Sequence, residues 1–198
     1  MILLHRPNPD EIDAYLARAA EMPFSYAEVG ATRGECPPGY DLDHYRIALG
    51  KGRAAFEAAC QALRRWQMFP RPWTEIAPAD TPIQTGNTVA VLAHFLGCWW
   101  RNACRLVYVV EEARRFGFAY GTLPCHAESG EECFSIVWDD EDTVWYEVRA
   151  ISRPQHWLAR LGYPFARRLQ RRFARDSRAA MQRAVASGPV SSATTGPG

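Results

Sequence analysis

Between Pro9 and Glu21 the apolar residues Ile12, Tyr15, Leu16 and Ala19 recur at three- and four-residue intervals, which places them on one face of an α-helix. Asn8 supplies a capping side chain, Pro9 suits a first turn, and Asp10 and Glu11 complement the dipole, so the pattern predicts a helix over 9–21. The period is lost over residues 22–40, where Gly30, Gly34, Pro37, Pro38 and Gly39 predict a loop around a short strand near Tyr26 to Val29. His44 to Leu49 reads as a strand that Gly50 and Gly52 terminate, and Phe56, Cys60, Leu63 and Trp66 then mark one face of a second helix. Pro70 and Pro72 bracket a turn. Strands follow at about 73–77, 88–97, 104–111, 115–122, 132–139 and 143–151. Gly86-Asn87, Arg101-Asn102, the tract from Pro124 to Gly130 and the acidic run from Asp139 to Asp142 separate them.

From Ser152 and Pro154 the helical period returns, with Trp157, Leu161, Phe165, Leu169 and Phe173 at four-residue steps. Gly162-Tyr163-Pro164 divides this region, because proline cannot donate the helical bond and clashes with the preceding turn, so the continuous helix begins near Pro164. Residues 186–198 are small, polar and Gly/Pro-containing and are expected to be disordered. Short connections between the strands imply an antiparallel meander, and its apolar face needs a cover that the C-terminal helix is long enough to provide. The expected class is α+β: a curved antiparallel sheet wrapped on a long C-terminal helix. Residues 1–40 form an N-terminal arm packed on a single domain over 41–185. That order resembles the helix-grip architecture of START-like proteins, which hold apolar small molecules between the sheet and the final helix.

Composition adds three constraints. Seven Trp, eight Tyr and nine Phe predict a bulky core. The apolar start is too short for a secretory signal, and runs such as Val89 to Phe95 fall far below the roughly 20 residues of a spanning helix, so a soluble cytoplasmic protein is expected. Six cysteines without a Cys-x-x-Cys pair read as reduced packing residues. The formal net charge is +1, yet residues 153–185 carry nine Arg against one Asp, leaving that segment at +8 and the remainder at −7.

Several runs also resemble the uncharacterised family known as domain of unknown function 1990. They are Glu28-Val-Gly-Ala-Thr-Arg-Gly34, Thr88 to His94, Cys104 to Glu111, Phe116-Gly-Phe-Ala-Tyr-Gly-Thr-Leu-Pro124 with His126, Gly130-Glu-Glu132, and Ser152-Arg-Pro154 ahead of Arg167 to Asp176. The resemblance implies a START-like fold and no established activity.

On the strand 115–122, Phe116, Phe118 and Tyr120 alternate with Gly117, Ala119 and Gly121. Which face is inward stays open: an inward aromatic face lines a ligand cavity, or fills the core while the bare face admits the N-terminal arm behind the sheet, and an inward bare face admits a close helix or ligand. A small apolar or amphipathic ligand between sheet and C-terminal helix is the leading expectation, with Tyr108, Phe118, Tyr120, Trp145 and Arg149 as candidate contacts and no cofactor. Arg105 or Arg149 is expected to meet Glu111 or Glu147, as a salt bridge or an anion site. An enzyme on the same fold would use His126, paired with Glu128 across an extended turn, or His94 as general base. His94 shares its strand face with Ala90 and Leu92, so it is otherwise a core residue. Neither zinc spacing nor a calcium-loop pattern is present, and no metal is expected. Arg167, Arg168, Arg171, Arg172 and Arg175 form a basic ridge suited to an anionic membrane or nucleic-acid surface, or to solvation.

Overall fold

The computed structural model describes residues 2–126, 128–154 and 163–187. The elements are β1 (Ile2–Leu3), α1 (Pro9–Ala20), a 3-10 turn (Ala31–Arg33), β2 (Asp41–Lys51), α2 (Gly52–Arg64), β3 (Thr74–Ala77), β4 (Thr88–Phe95), β5 (Cys98–Glu112), β6 (Arg115–Thr122), β7 (Glu128–Trp138), β8 (Thr143–Pro154) and α3 (Tyr163–Ala186). The strands form one antiparallel sheet in the order β2-β8-β7-β6-β5-β4-β3, and β1 pairs with the free stretch of β5 at Trp99 and Trp100. The class is the expected one, a curled antiparallel sheet gripping the C-terminal helix.

Alternation along the strands builds two cores. The inner face carries Val89, Leu106, Phe118, Phe134, Ile136, Tyr146 and Val148, and packs against Leu63 near the end of α2, Met68 in the turn after it and Met181 of α3. Each fully buried side chain of this kind contributes roughly 1.5–3 kcal/mol. Phe173 of α3 packs 5.3 Å from Phe69, and the Tyr146 hydroxyl meets Ser177 Oγ at 2.8 Å, which locks the helix across the sheet. The outer face carries Ala90, Leu92 and Ala103, covered by Ile12, Tyr15, Leu16 and Ala19 of α1. The expected capping of α1 forms a reciprocal box: Asn8 Oδ1 accepts from the Glu11 amide at 2.9 Å, and Glu11 Oε2 accepts from the Asn8 amide at 2.8 Å.

The glycine face of β6 lies outward and admits the N-terminal arm. A Cβ on Gly121 would lie 2.1 Å from the Tyr26 hydroxyl oxygen, so only glycine accommodates this approach. Residues 26–29 form no strand. Instead Tyr26 and the turn around Thr32 converge on Glu131, which accepts from the Tyr26 hydroxyl at 2.8 Å, the Gly30 amide at 2.7 Å, the Thr32 amide at 3.1 Å and the Thr32 hydroxyl. One buried carboxylate thus holds the arm to the sheet.

Three boundaries differ from expectation. The β4–β5 hairpin turns at Leu96 (φ 52°) and Gly97 (φ 75°), not at Arg101-Asn102, because consecutive left-handed residues match the twist of a two-residue hairpin. β7 begins at Glu128, inside the tract read as a turn. β8 continues through Ser152 to Pro154, where the sequence suggested a helix start. Trp157, Leu161 and the tail from residue 188 lie outside the described residues.

Candidate functional site

A cavity of about 600 Å³ separates the inner sheet face from α3. β4 contributes Val91, Ala93 and Phe95; α3 contributes Phe165, Leu169 and Phe173. Phe69, Trp73, Trp100 and Tyr120 complete an aromatic wall. Its volume lies within the range of small-molecule sites, and its lining is mainly apolar, as such sites require.

The wall carries several acids and, among the described residues, no Lys or Arg. On β7, Glu128 and Glu132 face inward on either side of Gly130, since residues two and four apart share a face. Tyr120 donates to Glu132 Oε2 at 2.7 Å, and Glu132 lines the cavity. Enclosure by protein pushes the Glu132 carboxyl up to about 7; the Tyr120 bond opposes this, and the nearby Asp43 and Glu128 charges add to it. Burial also raises Glu128, whose carboxylate accepts from Gln170 of α3. Asp43 of β2 is bonded twice by the Arg167 guanidinium. Glu132 can therefore exchange a proton near neutral pH.

His126 lines the same cavity. His126 Nδ1 lies 3.0 Å from the Glu128 amide and 3.1 Å from the Glu128 carbonyl oxygen, so the same backbone unit holds the ring in either tautomer. Burial lowers this imidazole to about 4, leaving it neutral and weakly basic at physiological pH. The Glu128 backbone orients the ring, and the Glu128 carboxylate is turned instead to Gln170.

The remaining sequence candidates are distributed elsewhere. A bulge at Val107 reverses the parity of β5, so Tyr108 lies outward, its hydroxyl 2.8 Å from Thr32 Oγ1. Phe118 is closed into the core beneath the cavity. Trp145 and Arg149 alternate with inward Tyr146 and Val148 and so face outward. Trp145 donates to Asp139 at 2.7 Å with Arg46 over its ring, and Arg149 donates to the Gly34 carbonyl. The salt bridges expected of Arg105 and Arg149 are replaced. Arg105 bonds the Ala19, Ala20 and Met22 carbonyls at the α1 C-terminus, while Glu147 pairs with Arg46 and Glu111 with Arg64. His94 is exposed, stacked on Trp99 at 4.8 Å beyond the end of the outer core.

The basic ridge is partly engaged. Arg167 binds Asp43, Arg172 and Arg175 both reach Asp176, and Arg172 covers the Trp73 ring, while Arg168 and Arg171 are exposed. Among the described residues, no group of three or more His, Cys, Asp or Glu is arranged to hold a metal, and no helix is long and apolar enough to cross a membrane.

The sequence reading missed Glu132, Asp43 and Trp100. A signal for Glu132 was present: it falls in register with inward Phe134 and Ile136, and a carboxylate on the core face of a strand is unusual.

Two curated proteins are similar along most of their length. A UPF0548 protein of Dictyostelium discoideum is 34% identical over 94% of this chain and 97% of its own, and one of Deinococcus radiodurans is 37% identical over 88% and 94%. Among solved structures, Ara h 8.0201 superposes with a TM-score of 0.48 at 12% identity, covering 76% of this chain and 100% of that one. The model of the family described as Domain of unknown function (DUF1990) matches residues 25–180, and the chain belongs to that family.

Proposed function

We propose that the protein binds a small apolar or amphipathic molecule between the inner sheet face and α3. The observation that carries this reading is the cavity of about 600 Å³, walled by aromatic rings at a place where the fold would otherwise close its core. Native mass spectrometry of the purified protein tests the reading by seeking a co-purifying molecule. Titration with the neutral fluorophore N-phenyl-1-naphthylamine tests it directly. Saturable emission enhancement that Ala93→Trp abolishes is the expected result; enhancement unaffected by filling the cavity would refute it.

One observation favours a catalytic use of the same site. Glu132, raised to about 7 and lining the cavity, is a better proton acceptor at neutral pH than His126. Deuterium uptake from heavy water into a recovered ligand, lost in Glu132→Gln, is the corresponding test. Unchanged uptake in that variant removes Glu132 from the role.

A further inference from the structure

The charge of the cavity wall narrows the ligand, resting on the reading of the cavity as a binding site. Its ionised wall groups are acids: Asp43, Glu128, Glu131 and Glu132, with no Lys or Arg among the described residues that line it. These acids are not equivalent. Glu131 is turned to the outer face, where the arm satisfies it. Asp43 is held by Arg167. Glu128 is bonded by the neutral amide of Gln170. Glu132 lines the cavity, and the hydrogen bond it receives comes from the neutral hydroxyl of Tyr120.

A buried carboxylate that lacks a cationic partner is costly, and removing that cost is available to a ligand that brings the cation. Phe69, Tyr120 and Phe173 also line the cavity, and aromatic rings attract a cation. A carboxylate ligand, by contrast, would add like charge to the same wall.

We propose that the cavity selects an apolar, ring-bearing molecule that carries a protonated amine, with the Glu132 carboxylate as its anionic partner. Glu132 is faced by Tyr120 from β6, Cys104 from β5, Asp43 from β2, Tyr146 from β8 and Glu128 on its own strand, while α3 brings Arg167 to Asp43 and Glu128. Amine recognition therefore strengthens as pH rises and Glu132 ionises.

The experiment displaces bound N-phenyl-1-naphthylamine with three indoles of matched shape: tryptamine, tryptophol and indole-3-propionate. At pH 8 tryptamine is expected to act at a concentration about tenfold below that of tryptophol, with indole-3-propionate weakest. Glu132→Gln should bring tryptamine to the level of tryptophol while still binding the fluorophore. In the wild-type protein the preference should shrink between pH 8 and pH 5.5, although tryptamine stays protonated throughout. This arm carries the test should Glu132→Gln fail to fold. Equal displacement by all three indoles, stronger displacement by indole-3-propionate, or a preference flat with pH overturns the amine proposal and leaves the cavity reading intact. Absence of fluorophore binding overturns the cavity reading itself, and the amine proposal with it.

Discussion

Replacing Glu132 by Gln should make the protein more stable, by an amount that grows as pH rises from 4.5 to above 7. The folded protein holds the Glu132 proton up to about 7, against an ordinary value of 4.5. Below pH 4.5 the carboxyl is protonated in both folded and unfolded chains and contributes nothing. Between 4.5 and 7 the folded state binds more protons than the unfolded one, so stability falls as pH rises; above 7 the penalty is complete. The displacement from 4.5 to about 7 corresponds to about 3 kcal/mol. Gln keeps an oxygen for the Tyr120 hydroxyl and has no charge to bury, so that penalty disappears. Expected gains are near zero at pH 4.5 and about 3 kcal/mol at pH 8, or roughly 7 °C in melting temperature for a chain of this length. His126, lowered to about 4, acts in the opposite sense, weakening the protein as pH falls below the ordinary imidazole value of 6.5. It is present in both proteins and cancels in the difference. Urea unfolding at pH 4.5, 6 and 8, followed by tryptophan emission, reads the effect. A variant less stable than wild type at pH 8, or an offset independent of pH, would refute the reasoning.

Other consequences are equally direct. Glu131→Ala removes the acceptor shared by Tyr26, Gly30 and Thr32, and should destabilise by about 3 kcal/mol while opening residues 22–40 to limited proteolysis. Gly121→Val drives a side chain into the Tyr26 ring and should cost about 1–3 kcal/mol by thermal denaturation, with the same proteolytic signature. Phe173→Ala, which loosens α3 from Phe69 and Phe134, should cost about 2–3 kcal/mol in urea unfolding and weaken fluorophore binding.

Local patterns were legible wherever one physical rule dominated. The cap of α1, the amphipathic face of α2 and the alternation of aromatic and small residues on β6 follow from neighbours within a few residues, whereas which face of β6 turns inward does not. Legibility failed where a strand changed parity or a turn used unremarkable residues. No composition cue marks the Val107 bulge, yet that single extra residue moves Tyr108 from the expected inner face to the outer one. Leu96 does not announce a left-handed turn, so the polar Arg101-Asn102 pair drew the boundary instead; in the fold Arg101 covers the Tyr15 ring and donates to the Glu11 carbonyl.

Periodicity and chain order alone therefore settle the architecture: a meander with one apolar face needs one long helix to cover it, and the chain supplies that helix last. Tertiary structure alone decides the site. Glu128, Glu132, Asp43 and Trp100 come from β7, β2 and β5, and only curvature of the sheet beneath α3 brings them around one cavity. The pleat of β7 divides the two consecutive glutamates, and the packing on each side gives them different partners: Glu131 turns out to hold the arm, and Glu132 turns in to face the cavity. The property that distinguishes them chemically, the raised pKa of Glu132, arises from exclusion of water by residues distant in sequence, which no local pattern encodes.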